Sequence, residues 1–406
     1  MKHHYWSLLV STCISCSQVV NTSPDSHLDD AGYADTISDA VEDRPSLSIP
    51  IEPRLSSLAV GTDYACRILS PRRVQCWGGV FGSVPGGDPA MPTGRSEIDF
   101  DSDVQAVTSG TGVSCALLTN GSVLCWGSNY AGSLGGGSED TRLTVTEPTR
   151  VVDIPSVVEI DGRFSHVCVR SAEGSVFCWG DHAGQVSDDT NSPFPVPRPV
   201  RIAGADGALQ ICVGTYHGCF IGRNNRVSCW GDGRQGQTGQ QDLAWVSSAR
   251  EVPGVSEIVS LSCGPYHTCA MDRHRQIWCW GANRNLELGT MDIPYRAEPD
   301  IVPGLPVVRS MPSVGATSCA VTESGLVWCW GRNDSGQLGP AAVLGMNSAT
   351  PVEVQGVGDI EDVSSGLQFV CARRRDSAVL CWGSGEFLSP AQSNQPIPNP
   401  TTVFNR

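Results

Sequence analysis

Ser114-Cys115-Ala116-Leu117-Leu118-Thr119-Asn120-Gly121-Ser122-Val123-Leu124-Cys125-Trp126-Gly127 reads as a β-hairpin. Two short apolar runs flank Asn-Gly, the dipeptide that best tolerates the backbone of a tight two-residue turn. Centring the hairpin on Asn120 sets Cys115 opposite Cys125 and Leu117 opposite Val123. Residues facing each other on antiparallel strands lie about 4.5–5.5 Å apart at Cα, within reach of a disulfide. Ala116, Leu118, Leu124 and Trp126 then point to the other face. Both faces are apolar, so the pair must be covered on both sides, as it is when sheets stack face to face around an axis. A single open sheet leaves one face in water.

The same pattern occurs seven times, each pair of cysteines having nine residues between them and the second leading into Trp-Gly. The pairs are Cys66 and Cys76, Cys115 and Cys125, Cys168 and Cys178, Cys219 and Cys229, Cys269 and Cys279, Cys319 and Cys329, and Cys371 and Cys381. The triplets are spaced by 49 residues (Cys76 to Cys125) to 53 residues (Cys125 to Cys178). One supersecondary unit repeated at that period reads as a solenoid or a propeller. Gly and Pro punctuate the chain and the apolar runs are short, which favours strands over helices.

Eighteen cysteines, fourteen of them in regular pairs, predict disulfides and an oxidising compartment. Zinc is the alternative, but zinc sites bring CxxC or Cys/His clusters together, and here a turn separates each pair. Each bridge closes a loop of about eleven residues and contributes roughly 3 kcal/mol in the chain-entropy model. Cys212 and Cys263 stand outside the pattern. They lie on equivalent strands but one residue out of step, so their side chains face opposite ways and the expectation is two buried free thiols.

The start of the chain, Met1-Lys2-His3-His4 followed by Tyr5-Trp6-Ser7-Leu8-Leu9-Val10, has the layout of a secretory signal. Ile14-Ser15-Cys16 resembles a bacterial lipoprotein box, which makes Cys16 the expected lipidation site; plain secretion is the alternative. Residues 17–54 are rich in Asp, Ser and Pro and are expected to form a solvated, disordered acidic linker. No apolar run of 18 residues occurs elsewhere. The formal charge of −15, from 42 acids against 27 bases, predicts repulsion of nucleic acid.

Gly331-Arg332-Asn333-Asp334-Ser335-Gly336-Gln337-Leu338-Gly339 after Cys329-Trp330, with Gly264-Pro265-Tyr266-His267-Thr268-Cys269-Ala270, resembles the regulator of chromosome condensation repeat over residues 55–390. The resemblance implies an all-β, seven-bladed propeller with four-stranded antiparallel blades over residues 55–406, and the cysteine-bearing form is similar to exported bacterial members. The Gly-Gln-Leu-Gly element is degraded in blades two and five (Ala131 to Gly135, Asn285 to Gly289) and missing from blades one and seven. Either Pro396 to Val403 supplies the last outer strand or Pro45 to Ser57 closes the ring. Eukaryotic relatives exchange nucleotide on a small GTPase and bind chromatin; disulfides, export and acidity argue against both, so neither a small GTPase nor nucleic acid is expected as a partner.

In such a meander the loops after the first and third strands of each blade share one face. That face receives His166, His217 and His267, which brace their turns, and the aromatic residues Tyr130, Phe194, Tyr216, Trp245, Tyr266 and Tyr295, which are the candidate partner-binding residues. The opposite face carries the cysteine hairpins with Arg72, Arg73, Arg223, Arg226, Arg273, Arg275 and Arg373 to Arg375, offset by nearby acids such as Glu159, Glu257, Glu361 and Asp362. No GxSxG, HExxH or phosphate loop stands in a supporting context, and Asp99 to Asp103 lacks the glycine and glutamate of a calcium loop. Neither catalysis nor a cofactor is expected. The function expected is a lipid-anchored or secreted module at the outer membrane or cell surface that binds an unidentified protein. A carbohydrate-binding or carbohydrate-active propeller using the axial pocket, and a structural envelope component, are the alternatives.

Overall fold

The structure, a computed structural model, describes residues 50–78, 95–140, 142–181, 195–291, 293–385 and 395–404. The leader with Cys16, residues 17–49 of the expected linker and Phe194 lie outside them. Among the described residues, twenty-eight strands, from β1 (Leu58–Val60) to β28 (Pro396–Phe404), form seven four-stranded antiparallel sheets whose strand order follows the chain. The first strands of the blades, β1, β5 (Val104–Ser109), β9 (Val157–Arg163), β13 (Gln210–Val213), β17 (Ile258–Cys263), β21 (Val308–Val314) and β25 (Ile360–Ser365), contact one another in ring order around the axis.

The predicted register holds throughout: in every blade the two repeat cysteines are directly paired, and Leu117 faces Val123. All seven pairs are bonded, with Cα atoms 4.0–4.2 Å apart. Each bridge stays within its own blade: Cys66 with Cys76, Cys115 with Cys125, Cys168 with Cys178, Cys219 with Cys229, Cys269 with Cys279, Cys319 with Cys329 and Cys371 with Cys381. The disulfide lies on the face turned toward the next blade and packs in one cluster with that blade's tryptophan. Cys115 and Cys125 meet Trp179 in this way, Cys219 and Cys229 meet Trp280, Cys269 and Cys279 meet Trp330, and Cys319 and Cys329 meet Trp382.

The indole also donates outward from the core. Trp179, Trp280, Trp330 and Trp382 donate Nε1–H to the carbonyls of Ser133, Gln237, Glu287 and Gln337 in the preceding blade's third loop, at 2.7–3.1 Å. The corresponding loop segments before Trp77, Trp126 and Trp230 lie outside the described residues. The triplet's glycine is required by the backbone. Gly180 and Gly231 have φ of +105° and +96°, and a Cβ there would meet the carbonyls of Ser165 and Tyr216 at 1.9 and 2.4 Å.

A second link joins neighbouring blades at the residue that opens each second strand. Tyr64 donates to Val113 O (2.5 Å) and lies 3.0 Å from Ser114 Oγ; His217 reaches Thr268 Oγ1 at 2.9 Å, and His267 reaches Ser318 Oγ at 3.1 Å. The Thr268 and Ser318 hydroxyls themselves donate to Gln237 O and Glu287 O, so each histidine must be the donor through Nε2–H. Where the next blade offers Val167, Val370 or Ala65 instead of a hydroxyl, the opening residue is Val113, Thr317 or Phe369.

Cys212 and Cys263 are not the free thiols expected: they form an interblade disulfide with Cα atoms 5.3 Å apart. Their side chains do face opposite ways, but adjacent blades present opposite faces to each other. Opposite parity is therefore what a bridge between blades four and five requires, and both cysteines sit in the cluster that joins them. The last outer strand is β28, as one of the two alternatives had it, and β1 is the innermost strand of blade one. No strand is shared across the seam. Leu58, Val60, Ala65 and Trp77 pack on Phe369, Val379 and the Cys371–Cys381 bridge. Phe404 then crosses the seam, edge-on to Trp77 at 4.9 Å and under the guanidinium groups of Arg67 and Arg95 at 4.2 and 4.9 Å.

Most strand prolines lie in outer strands: Pro148 in β8 (Thr144–Arg150), Pro197 and Pro199 in β12 (Val196–Arg201), Pro299 in β20 (Tyr295–Ile301), Pro351 in β24 (Ser348–Glu353), and Pro396, Pro398 and Pro400 in β28, with Pro312 of β21 the exception among the described strands. Alternate residues of a strand aim their backbone groups the same way, so the missing donors of β28 all fall on one edge.

Peptide mapping without reduction is expected to return eight bridges, Cys212–Cys263 among them; alkylation of either thiol in native protein would contradict this. Phe404→Ala is expected to cost roughly 1–3 kcal/mol, read as a lowered urea midpoint, because a half-buried ring is truncated at the seam.

Candidate functional site

Backbone bonds establish the two faces. In blades two to seven the residue after Trp-Gly donates to the first loop of its blade, as Asp232 N–H does to Tyr216 O and Ala282 N–H to Tyr266 O. The cysteine hairpins bond instead to the linkers between blades, as Arg273 N–H does to Glu257 O.

Of the candidate binding residues, Tyr130, Trp245 and Tyr295 are exposed, at 53, 38 and 43 %. Tyr130 and Trp245 belong to third loops, and Tyr295 opens the outer strand β20 just after one. Tyr216 and Tyr266 are half-buried on first loops of blades four and five, and their rings lie 5.9 Å apart at 44°. Sequence reasoning by aromatic content missed their apolar companions. Met291, Val343, Leu344 and Met346 are exposed on the third loops of blades five and six, Met291 at 82 %. The run Val343-Leu344-Gly345-Met346 within a loop was the available signal.

His166, His217 and His267 are buried rather than displayed. Burial pushes the imidazoles of His217 and His267 down to about 3. His166 Nε2 lies 3.3 Å from Cys168 Sγ. The close His/Cys groups among the described residues consist of this histidine and disulfide sulfurs, which lack the thiolate charge that a metal needs.

On the opposite face the arginines are matched by acids: Arg72 with Asp103, Arg73 with Asp99, Arg226 with Glu251, Arg273 with Glu257, Arg373 with Glu361 and Arg374 with Asp376. The result is a neutralised surface, not a basic patch.

The axial channel holds a feature that composition concealed. Residues 50–54, expected to end the linker, are seated at the channel mouth on the hairpin side. Gln210 Nε2 donates to Glu52 O (3.0 Å), Arg54 N–H donates to Glu159 Oε1 (2.9 Å), and the Arg54 guanidinium donates to Ser262 Oγ (3.2 Å). Ser56 Oγ–H donates to Leu58 O at 2.6 Å and stands 3.1 Å from Asp362 Oδ2, while Ile51 packs beside the cluster containing Cys212 and Cys263. Glu159 is fully buried and paired with Arg170 at 2.8 Å. Burial pushes its carboxyl up to about 7, against the pull of Arg170 and the Arg54 N–H. Burial likewise raises Asp362, against Arg54 and Arg373. A cavity of about 430 Å³ remains beside the segment, lined by Glu52, Arg275, Arg309, Met311, Glu361 and Arg373 among others. Carboxylates thus do face the axis, but salt bridges and the chain's own segment occupy them, which is poor access for a sugar.

The RCC1-like domain family matches residues 38–404. The chain is 26 % identical over 131 residues to the ultraviolet-B receptor UVR8 of Arabidopsis thaliana, a match covering 32 % of this chain and 29 % of that protein. It is 28 % identical over 117 residues to the E3 ubiquitin-protein ligase HERC2 of Homo sapiens, covering 27 % of this chain and 2 % of that one. The matched stretch therefore spans less than a third of the length of UVR8 and a small fraction of HERC2. Among solved structures, Prp20p of Saccharomyces cerevisiae superposes with a TM-score of 0.70 at 20 % identity, covering 83 % of this chain and 87 % of that one. Human WBSCR16 gives 0.69 at 20 % identity, covering 83 and 94 %. At this identity the structural likeness concerns the fold.

The histidine geometry gives a pH dependence. An unfolded chain takes up a proton at each histidine below about pH 6.5, whereas His217 and His267 in the folded chain do so only near 3. Their contribution is whole above pH 6.5 and is lost as the pH falls, at roughly 1.4 kcal/mol per residue per pH unit. His217→Gln keeps a donor and removes the titration. The stability lost between pH 7 and pH 5, from urea midpoints, should shrink by about 2 kcal/mol in that variant.

Proposed function

This chain belongs to the RCC1-like domain family, and we propose that it is an exported, lipid-anchored propeller that binds a protein at the cell surface through its loop face, with no chemistry of its own. Propellers of this fold serve as protein-interaction modules: yeast RCC1 (Prp20) has been crystallised with Kap60, and Prp20p is described by its binding to Gsp1p and histones. Neither partner is carried over to this chain, whose disulfides, leader and acidity suit another setting.

One observation carries the reading. Most exposed large apolar side chains among the described residues gather at the third loops and the start of β20, at Tyr130, Trp245, Met291, Tyr295, Val343 and Met346, whereas the hairpin face shows Leu69 and Val307 scattered among ion pairs. A rigid ring that displays aromatic and methionine side chains offers contact area at small entropic cost. Eight disulfides support an oxidising compartment, and the segment Met1 to Cys16 supports export with a lipid anchor. The axial segment speaks against the carbohydrate alternative, because a sugar would have to displace it.

Capture of a partner from surface extract is expected to fall about tenfold or more for Trp245→Ala and for Tyr295→Ala, with unchanged melting, and to persist for Arg223→Ala on the hairpin side. Equal capture by all variants would refute the loop face. Incorporation of a labelled fatty acid, lost in Cys16→Ser, checks the anchor.

A further inference from the structure

The segment at the axis belongs to no sheet. It departs from the hairpin-side mouth at Pro50, runs extended through Glu52, Pro53, Arg54 and Leu55, and joins β1 only at Leu58. Its contacts are those of a bound peptide. Gln210, whose own Oε1 accepts from Leu261 N–H at 2.6 Å, holds the carbonyl of Glu52. Glu159, wholly buried, accepts the Arg54 amide, and Ser262 accepts its guanidinium. Blades three, four and five thus each supply one polar group, all from first strands.

We propose that the axial channel is an acceptor site for an extended arginine-bearing peptide, occupied here in cis by residues 50–55. Three observations support exchange. The anchoring depends on a handful of hydrogen bonds; Glu52 and Leu55 are exposed, Leu55 at 39 %, and Ile51 is the apolar side chain that packs on the ring's core; and a cavity of about 430 Å³ lies beside the segment. Segments with few buried contacts open at low free-energy cost. The chemistry of the incoming peptide follows from the acceptors. A backbone N–H must meet Glu159, a guanidinium must reach the Ser262 hydroxyl, and proline suits the extended backbone without demanding a donor. Opposing charges set the selectivity: Glu159, Asp161 and Asp362 favour the cation, while Arg163, Arg170 and Arg373 prevent the mouth from acting as a general acidic sink. This site is independent of the loop face, so either reading can fail without the other.

A cis occupant lowers the apparent affinity for a trans peptide by the fraction of time that the site is filled. The probe is a fluorescein-labelled peptide of sequence Ile-Glu-Pro-Arg-Leu-Ser-Ser, that of residues 51–57, titrated by anisotropy against the full chain. Arg54→Gly, which weakens the cis occupant, is expected to bind it at least tenfold tighter than wild type. Adding Ser262→Ala or Glu159→Gln to that variant is expected to reverse the gain; Ser262→Ala leaves the Glu159–Arg170 pair intact and covers the case in which Glu159→Gln fails to fold. A peptide with alanine in place of arginine is expected to lose the binding. Equal affinity for wild type and Arg54→Gly, or equal binding of the alanine peptide, would overturn the proposal.

Discussion

The architecture depends on one contact repeated around the ring: a tryptophan of one blade laid against the disulfide of the blade before it. Burial of a large indole adds apolar area at each interface, and the bridge gives it a surface that cannot spread. The indole N–H then fastens the preceding blade's third loop by its carbonyl, as Trp330 does to Glu287. Stability, blade order and loop position are therefore set together. This is why the triplet Cys-Trp-Gly is so uniform while the loops around it vary, and why Gly, with its positive φ, must follow the tryptophan.

The polar link between blades is less uniform but obeys the same logic. His217 and His267 occur where Thr268 and Ser318 stand opposite and Val113 and Phe369 where Val167 and Ala65 do, whereas His166 faces Gly218 and lies against Cys168 Sγ of its own blade. His217 and His267 are kept neutral by their surroundings and serve as donors, which removes them from the list of groups that could act at a surface.

Much of this could be read from the chain. Hairpin register, blade count and bridge pairing follow from the Asn-Gly turn of blade two and from the cysteine spacing that is repeated seven times, with apolarity on both faces. The Cys212–Cys263 bridge was hidden by reasoning within one blade; it depends on which faces of two blades meet. Residues 50–54 were concealed for a different reason. Their composition matches a solvated tether, and only the closed ring brings Gln210, Glu159 and Ser262 to where they can hold it. Among the candidate binding residues, Trp245 and Tyr295 were legible as exposed aromatics, whereas Met291 and Met346 carry no aromatic signal and gain meaning only from their shared face.

The prolines of the outer strands have a consequence for how copies of the chain meet. Every blade of a propeller ends in an open β-edge, and a ring of seven such edges could polymerise with its neighbours rim to rim. Pro396, Pro398 and Pro400 withhold hydrogen-bond donors along one such edge, and Pro197 and Pro199 do so along another. Copies packed side by side would then slide past one another without zipping into cross-β aggregates, leaving their flat faces as the places where association can be specific.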